Sequence, residues 1–187
     1  MKLLLMFFLA VFSYLDMGKS EIEQYGYTVE KQLGDIEIRV YESALFSSVC
    51  LPRGTYDDQA NRGFRTLAGY IFGGNSTGES IAMTSPVMME LDSQMVMSFM
   101  VPRGRSRASL PSPKDSSIYF TEKPVVRMAA IRFGGWASDE KIEQHKRSLT
   151  EQLAHHGIGH KNKFAYLGYN PPYRLINRRN EVVVELE

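Results

Sequence analysis

The stretch that decides the fold is YGYTVEKQLGDIEIRVY, residues 25–41, in which apolar and polar side chains alternate on both sides of a polar centre. The apolar positions repeat every second residue from Tyr27 and again from Ile36, which is the period of a half-buried β-strand. Gly34 and Asp35 lie between the two runs and suit a tight turn. The stretch therefore predicts a β-hairpin.

After the hairpin, the apolar period changes to that of a helix. One stripe, spaced i, i+4, i+7, i+8 and i+11, consists of Ala60, Phe64, Leu67, Ala68 and Ile71. Thr55 is suited to cap this helix, and Gly73 and Gly74 are suited to end it. A second helix is predicted from about Ser138 to His156, because acidic residues begin it and a glycine follows it.

Seven further runs have the composition of strands. They are residues 44–51, 86–91, 95–101, 118–121, 125–133, 164–169 and 181–186. The order β, α, β, α, β predicts an α+β domain in which two helices cover one mainly antiparallel sheet.

The composition excludes several classes of function. The chain has 187 residues, with 22 Lys+Arg against 21 Asp+Glu, so it lacks the strong positive field of a non-specific nucleic-acid binder. The single cysteine, Cys50, allows no intramolecular disulfide, no CxxC redox pair and no cysteine-rich zinc site. We therefore expect no nucleic-acid partner, and any chemistry must use other groups.

Residues 1–20 are typical of a secretory signal peptide. Lys2 is followed by ten apolar residues, LLLMFFLAVF, which as a helix would rise only about 15 Å, half of a bilayer's hydrocarbon core. An uncleaved membrane anchor is the alternative. The prediction is an extracytoplasmic domain, secreted or periplasmic, formed by residues 21–187.

Several motifs along the chain occur together in a known order. They are FRTLAGYIFGGN at 64–75, IAMTSPV at 81–87, FGGW at 133–136, GYNPP at 168–172 and RRNEV at 178–182. In combination they resemble the SOUL, or haem-binding protein, family, and the resemblance covers essentially all of the chain from residue 25. It implies a distorted antiparallel β-barrel, built from two pseudo-symmetric β-α-β-β halves and flanked by two α-helices.

The same resemblance implies that haem or a related tetrapyrrole is bound in a shallow apolar site beside the first helix. We expect the chain to be a monomer. Haem presents a flat apolar disc, two propionates and an iron atom. Arg62 and Arg65 are candidates for contacting the propionates, while Leu67 and Ala68 are candidates for supporting the disc. Both arginines are equally consistent with solvated surface charges.

Met83 lies in the family motif and is a further candidate, although methionines in this part of the chain also suit core packing. Tyr173 is a candidate for stacking on a flat ring, and packing explains it equally well. All four histidines follow residue 140, which departs from the family members thought to use a histidine of the N-terminal half as an axial ligand. We expect no metal-binding cluster.

The sequence predicts a binding protein, acting as carrier, buffer or scavenger, rather than an enzyme. It contains no HExxH and no cysteine–histidine arrangement. One alternative is a small-molecule hydrolase or effector-binding domain on the same general fold, with an acid such as Glu79, Glu90 or Glu122 as the base. Another is a structural or interaction protein. The arginines at 103, 105 and 107 form a basic loop that is either solvated or able to contact anions.

Overall fold

In residues 22–92, 94–171 and 174–187, which the computed structural model describes, the backbone forms eleven strands and two α-helices. The helices are α1 (Tyr56–Ile71) and α2 (Asp139–His155). The strands are β1 (Glu23–Gln24), β2 (Tyr27–Leu33), β3 (Ile36–Tyr41), β4 (Ala44–Cys50), β5 (Thr84–Ser85), β6 (Val87–Glu90), β7 (Val96–Met100), β8 (Ile118–Lys123), β9 (Val126–Phe133), β10 (His160–Gly168) and β11 (Asn180–Leu186). The predicted signal peptide lies outside the described residues.

The predicted hairpin is confirmed. Strands β2 and β3 pair antiparallel and meet at Leu33 and Ile36, with Gly34 at a φ of 60° in the turn. A positive φ costs glycine nothing, because it has no Cβ. Ile36 and Ile38 are buried on one face of β3, and Arg39 lies on the other face.

Nine of the strands form one curled antiparallel sheet in the order β2-β3-β9-β11-β10-β6-β7-β4-β8. The segments β4-α1-β6-β7 and β9-α2-β10-β11 repeat one pattern: the last strand of each pairs with its first, and β6 pairs with β10 between them. This arrangement confirms the α+β class and the two β-α-β-β halves. Strands β1 and β5 form a separate parallel pair.

The two halves also exchange strands. The strand before each repeat pairs with the other half, so that β3 lies beside β9 and β8 lies beside β4. Strand β11 is placed between β9 and β10, near the centre of the sheet. The sheet is therefore assembled from segments distant in sequence.

The two helices cover one face of the sheet and form the larger core with it. Leu67 of α1 and Leu149 and Leu153 of α2 are fully buried there. The other face carries a second cluster that includes Tyr41, Phe46 and Leu167. In the described residues, no helix is long and apolar enough to cross a membrane.

Helix α1 begins and ends as the sequence predicts. Thr55 caps it, because its hydroxyl accepts a hydrogen bond from the backbone N–H of Asp58 while the Asp58 carboxylate accepts one from the backbone N–H of Thr55. After the helix, Gly73 adopts a φ of 103°. Inside it, Gly63 allows close packing, since a Cβ at this position would lie 3.0 Å from the sulfur of Met97.

A buried ionic cluster lies on the face of the sheet opposite the two helices. The Glu181 carboxylate, 0% exposed, accepts hydrogen bonds from Arg39 at 2.6 and 3.1 Å and from Arg179 Nε at 2.9 Å. Arg39, 3% exposed, also donates to Glu37 at 2.7 Å, and the Tyr169 hydroxyl donates to Glu181 at 2.9 Å. Burial alone would raise the pKa of Glu181, but the hydrogen bonds and charge of Arg39 lower it below its ordinary value.

Candidate functional site

An apolar cleft of about 200 Å³ lies beside the N-terminal half of α1. The helix contributes Tyr56, Ala60 and Phe64, which are spaced by four and therefore share one face. The sheet contributes a second group of residues: Val87, Met89, Met97 and Tyr166. The segments around the sheet ends contribute a third: Trp136, Ala137, Gly168, Asn170 and Arg178. The cleft therefore lies beside the first helix.

Aromatic rings dominate the helix side of the cleft. The rings of Tyr56 and Tyr166 meet edge to face at 4.8 Å, and the ring of Phe64 lies 5.4 Å from that of Phe99. Burial raises the pKa of Tyr56 and of Tyr166, so both hydroxyls keep their protons at neutral pH. The hydroxyl of Tyr166 donates to the side-chain oxygen of Asn180 at 2.7 Å. This side of the cleft is therefore uncharged.

Trp136 and Arg178 form the exposed rim of the cleft. The guanidinium of Arg178 stacks on the indole of Trp136, 4.1 Å from the ring centroid, and the tryptophan is still 51% exposed. Arg178 Nη1 donates to the carbonyls of Pro171 and Arg174 at 3.0 and 2.8 Å. Its buried Nε has no hydrogen-bond partner in the described part of the chain. A fixed cation therefore lies beside an exposed aromatic face.

The first turns of the two helices are hydrogen-bonded to each other next to this rim. The Asp139 carboxylate accepts from the backbone N–H groups of Tyr56 and Asp57 at 2.7 and 3.1 Å, and the Asp57 carboxylate accepts from the backbone N–H of Asp139 at 3.3 Å. Burial opposes ionisation of Asp139, but these N–H donors lower its pKa overall. Burial and the neighbouring Asp139 raise the pKa of Asp57. The contact holds the segment containing Trp136 against the start of α1.

The predicted apolar stripe of α1 divides between the cleft and the core. Ala60 and Phe64, in its first half, line the cleft. Leu67, which is 0% exposed, and Ala68, which is also buried, belong to the larger core instead. These two residues fix the helix to the sheet and offer no free surface to a ligand in this structure.

Arg62 and Arg65 are exposed on α1 and do not line the cleft. Arg65 Nε donates to the backbone carbonyl of Asn61, a cleft residue, at 3.3 Å. The guanidinium of Arg65 therefore lies along the helix, close to the backbone of Asn61.

Met83 packs against the larger core, partly buried, and does not line the cleft. Met89 and Met97 do line it, and both are buried. Tyr173 lies outside the described residues. Of the neighbouring tyrosines, Tyr166 lines the cleft, whereas Tyr169 bonds to the buried ionic cluster on the other face.

Trp136 and Arg178 belong to the motifs FGGW and RRNEV, but neither was named as a site residue; for Arg178 the sequence left open carboxylate pairing across the sheet or capture of a ligand anion. A signal was available for Trp136, which is the only tryptophan of the chain and directly follows two glycines. Gly135 adopts a φ of 76° and turns the chain after β9, placing the indole at the surface. The stacking of Arg178 on Trp136 could not be predicted, because the two residues are distant in sequence.

Comparison with known proteins identifies the family of the chain. Residues 22–185 match the model of the SOUL heme-binding protein family. Heme-binding protein 2 of Mus musculus is 28% identical over 163 residues, covering 82% of this chain and 79% of that protein. Heme-binding protein 1 of Xenopus laevis is 27% identical over 161 residues, covering 82% of this chain and 84% of that protein.

Solved structures with the same fold have little sequence in common with this chain. The EcmrR C-terminal domain superimposes with a TM-score of 0.64 at 9% identity, covering 86% of this chain and 98% of that domain. A hydrolase from Listeria innocua superimposes with a TM-score of 0.58 at 7% identity, covering 84% and 94%. At such identities the likeness concerns the fold alone. The family match over nearly the whole described domain is decisive, and the chain belongs to the SOUL heme-binding protein family.

Proposed function

We propose that this chain binds haem or a related tetrapyrrole non-covalently at the cleft beside α1, and acts as a monomeric extracytoplasmic carrier, buffer or scavenger. Family membership supports the ligand class, and the relatives named above are heme-binding proteins. The observation that carries the placement is the exposed indole of Trp136, which adjoins an uncharged aromatic cleft and is stacked under the cation of Arg178.

The size of the cleft determines how a macrocycle would lie. About 200 Å³ is less than the roughly 300 to 1,000 Å³ of sites that enclose a drug-sized ligand. A tetrapyrrole would therefore insert one edge beside Phe64 and lay one face against Trp136, with the rest of the disc in solvent. Covering apolar surface contributes about 25 cal/mol per Å², so even partial burial of so large a disc gives useful affinity.

The propionates would meet guanidinium groups at the rim. Arg178 has a buried Nε without a partner among the described residues, and Arg65 lies along the adjoining helix turn. Arginine is suited to carboxylates because its planar fork can donate two parallel hydrogen bonds. The pairing would orient the macrocycle with its acidic edge outward.

The iron atom would contribute little to the affinity. Histidine is absent from the cleft lining in the described residues, and the sulfur-bearing residues there, Met89 and Met97, are buried. His145 stacks on Phe133 at 4.3 Å, and its Nδ1 is hydrogen-bonded to the carbonyl of Lys141 at 2.7 Å. Adhesion of the ring and pairing of the propionates would therefore dominate binding.

A binding role suits the cleft better than catalysis does. As far as the chain is described, the lining contains no carboxylate, histidine, serine, cysteine or lysine, the groups that most enzymes use as nucleophiles and bases. Glu79 and Glu90, named above as candidate bases, are paired with Arg105 and Lys123 away from the cleft.

Titration with hemin tests the proposal, because Trp136 is the only tryptophan. We expect a saturable Soret change near one hemin per chain and parallel quenching of the tryptophan fluorescence. Iron-free protoporphyrin IX should bind with similar affinity, whereas the dimethyl ester, which lacks the propionate charges, should bind more weakly. A saturable Soret change without quenching would show that the cleft is the wrong site, and no change at micromolar hemin would refute tetrapyrrole binding.

The proposed location has a separate test. Sequencing the N-terminus of the exported protein should give a mature chain that begins near Glu21. Retention of residues 1–20 in a membrane fraction would favour the anchor instead.

A further inference from the structure

A second cavity, of about 360 Å³, lies where the corner between β3 and β4 meets the loop after β7. It shares no lining residue with the cleft beside α1. Its apolar part is formed by Ala44, Leu45, Met100 and Val101. Its polar part includes Tyr25, Glu42, Glu122 and the three arginines of the basic loop, Arg103, Arg105 and Arg107. The volume falls within the range of small-molecule sites.

The basic loop is a defined structure and not merely a solvated one. The backbone N–H of Arg103 donates to the Glu23 carboxylate at 3.0 Å, and its guanidinium donates to Glu42 at 2.8 Å. The guanidinium of Arg105 pairs with Glu79 and donates to the Ser109 carbonyl at 2.7 Å. These contacts hold the loop against the rest of the domain and fix the guanidinium groups beside the cavity.

Two polar groups at this cavity lack partners within the described residues. The hydroxyl of Tyr25, a residue only 2% exposed, has no hydrogen-bond partner, and neither has the buried Nε of Arg105. A buried polar group without a partner is costly and rare in native proteins. Burial, together with the charge of Glu42, raises the pKa of Tyr25 to about 12, so its hydroxyl is a donor at neutral pH.

Arg107 supplies a cation that forms no ion pair in the described part of the chain. Its guanidinium stacks on the ring of Phe120 at 4.1 Å from the centroid, which leaves its N–H groups at the ring edge for another acceptor. Glu42 forms an ion pair with Arg103. Glu122 also lines the cavity and would repel an anion. The groups without partners are therefore mostly donors.

We propose that this cavity binds a small organic anion, a carboxylate or phosphate monoester with a compact apolar body, through Tyr25, Arg105 and Arg107. The apolar part of the ligand would lie against Leu45 and Met100. The inference goes beyond tetrapyrrole binding and does not rest on it, because the two sites have no residue in common.

Amide chemical shifts of the full chain test the proposal, with phenyl phosphate, benzoate and inorganic phosphate as probes and benzyl alcohol as the neutral control. Phenyl phosphate or benzoate should shift the amides of Gly26, Gly104 and Ser106 saturably. Benzyl alcohol should not, and inorganic phosphate should bind more weakly because it lacks an apolar body. Tighter binding of phenyl phosphate than of benzoate would indicate a phosphate ligand, and the reverse order would indicate a carboxylate ligand.

Three substitutions assign the site. Tyr25→Phe removes only the hydroxyl and should weaken the better probe about 10-fold, which is typical of losing a hydrogen bond to a charged group, without lowering the melting temperature. Arg107→Gln, at an exposed position, should weaken it by a similar factor. Glu122→Gln should tighten it several-fold by removing a like charge. Trp136→Ala is the matched control and should leave anion affinity unchanged.

The proposal is overturned if no probe shifts these amides at 10 mM, or if Tyr25→Phe and Arg107→Gln both bind within about twofold of the parent chain. Weaker binding in Glu122→Gln would also overturn it, because the cavity would then be selecting a cation. Each of these results can occur whether or not hemin binds, so failure of this proposal is distinguishable from failure of the proposed function.

Discussion

Replacing Trp136 with alanine should weaken hemin binding by a factor that the structure allows to be worked out. A tryptophan carries up to about 250 Å² of accessible surface, and 51% of that of Trp136 is exposed, which leaves roughly 125 Å² for a ligand to cover. Covering half to all of this area at about 25 cal/mol per Å² contributes roughly 1.5 to 3 kcal/mol. The expected loss is therefore about 10- to 150-fold in Kd.

The assay is a Soret titration, since the variant has no tryptophan left to report by fluorescence. Trp136→Phe keeps a flat ring and should lose much less affinity than the alanine variant. Phe72→Ala is the matched control, because Phe72 is an exposed aromatic residue at the end of α1 that does not line the cleft. Hemin affinity of Trp136→Ala within twofold of the parent chain would refute this placement of the ring.

Other substitutions test the energetics of the fold. Glu181→Gln should cost about 3 to 5 kcal/mol, because it leaves Arg39 buried without its full counter-charge, and should lower the melting temperature by roughly 6 to 20 °C. The folded-state pKa of Glu181 is lowered, so the stability that its ionised form contributes is complete above the unfolded pKa of about 4.5. This stability is lost as the pH falls from that value towards the folded-state pKa. The melting temperatures of the parent chain and the variant should therefore converge between pH 7 and pH 3. Gly63→Ala should destabilise the chain, because the new Cβ would crowd Met97. Gly69→Ala should stabilise α1 by up to about 1 kcal/mol, because a Cβ there would meet nothing within 4 Å. Equal shifts of the urea midpoint in the two variants would contradict this packing.

The elements that the sequence predicts correctly are those specified by local patterns. The period of two around Gly34 predicts the β2–β3 hairpin, and Thr55 and Gly73 mark the ends of α1 where the structure has them. Strand order was not accessible in this way, because β3 pairs with β9 through contacts distant in sequence. The two β-α-β-β halves were implied by the family resemblance, because the apolar pattern alone did not predict them.

The structure has a cleft beside the first helix, but none of the described site candidates, Arg62, Arg65, Leu67, Ala68 and Met83, lines it. An apolar period identifies which residues of a helix share a face, but it does not show which part of that face packs against the sheet and which part stays open. Leu67 is core, while Phe64, one turn earlier on the stripe, borders the cleft. The contribution of Trp136 and Arg178 depends on two segments meeting after folding, which no local spacing encodes.

The central position of β11 bears on how the protein is made. Residues 180–186 are the last strand of the domain, yet they hydrogen-bond to β9 on one side and to β10 on the other. A chain emerging from the ribosome thus cannot complete this sheet until residues 180–186 are free, and until then β9 and β10 each present an unpaired backbone edge. The chain that still lacks β11 is therefore the form most exposed to wrong strand pairing.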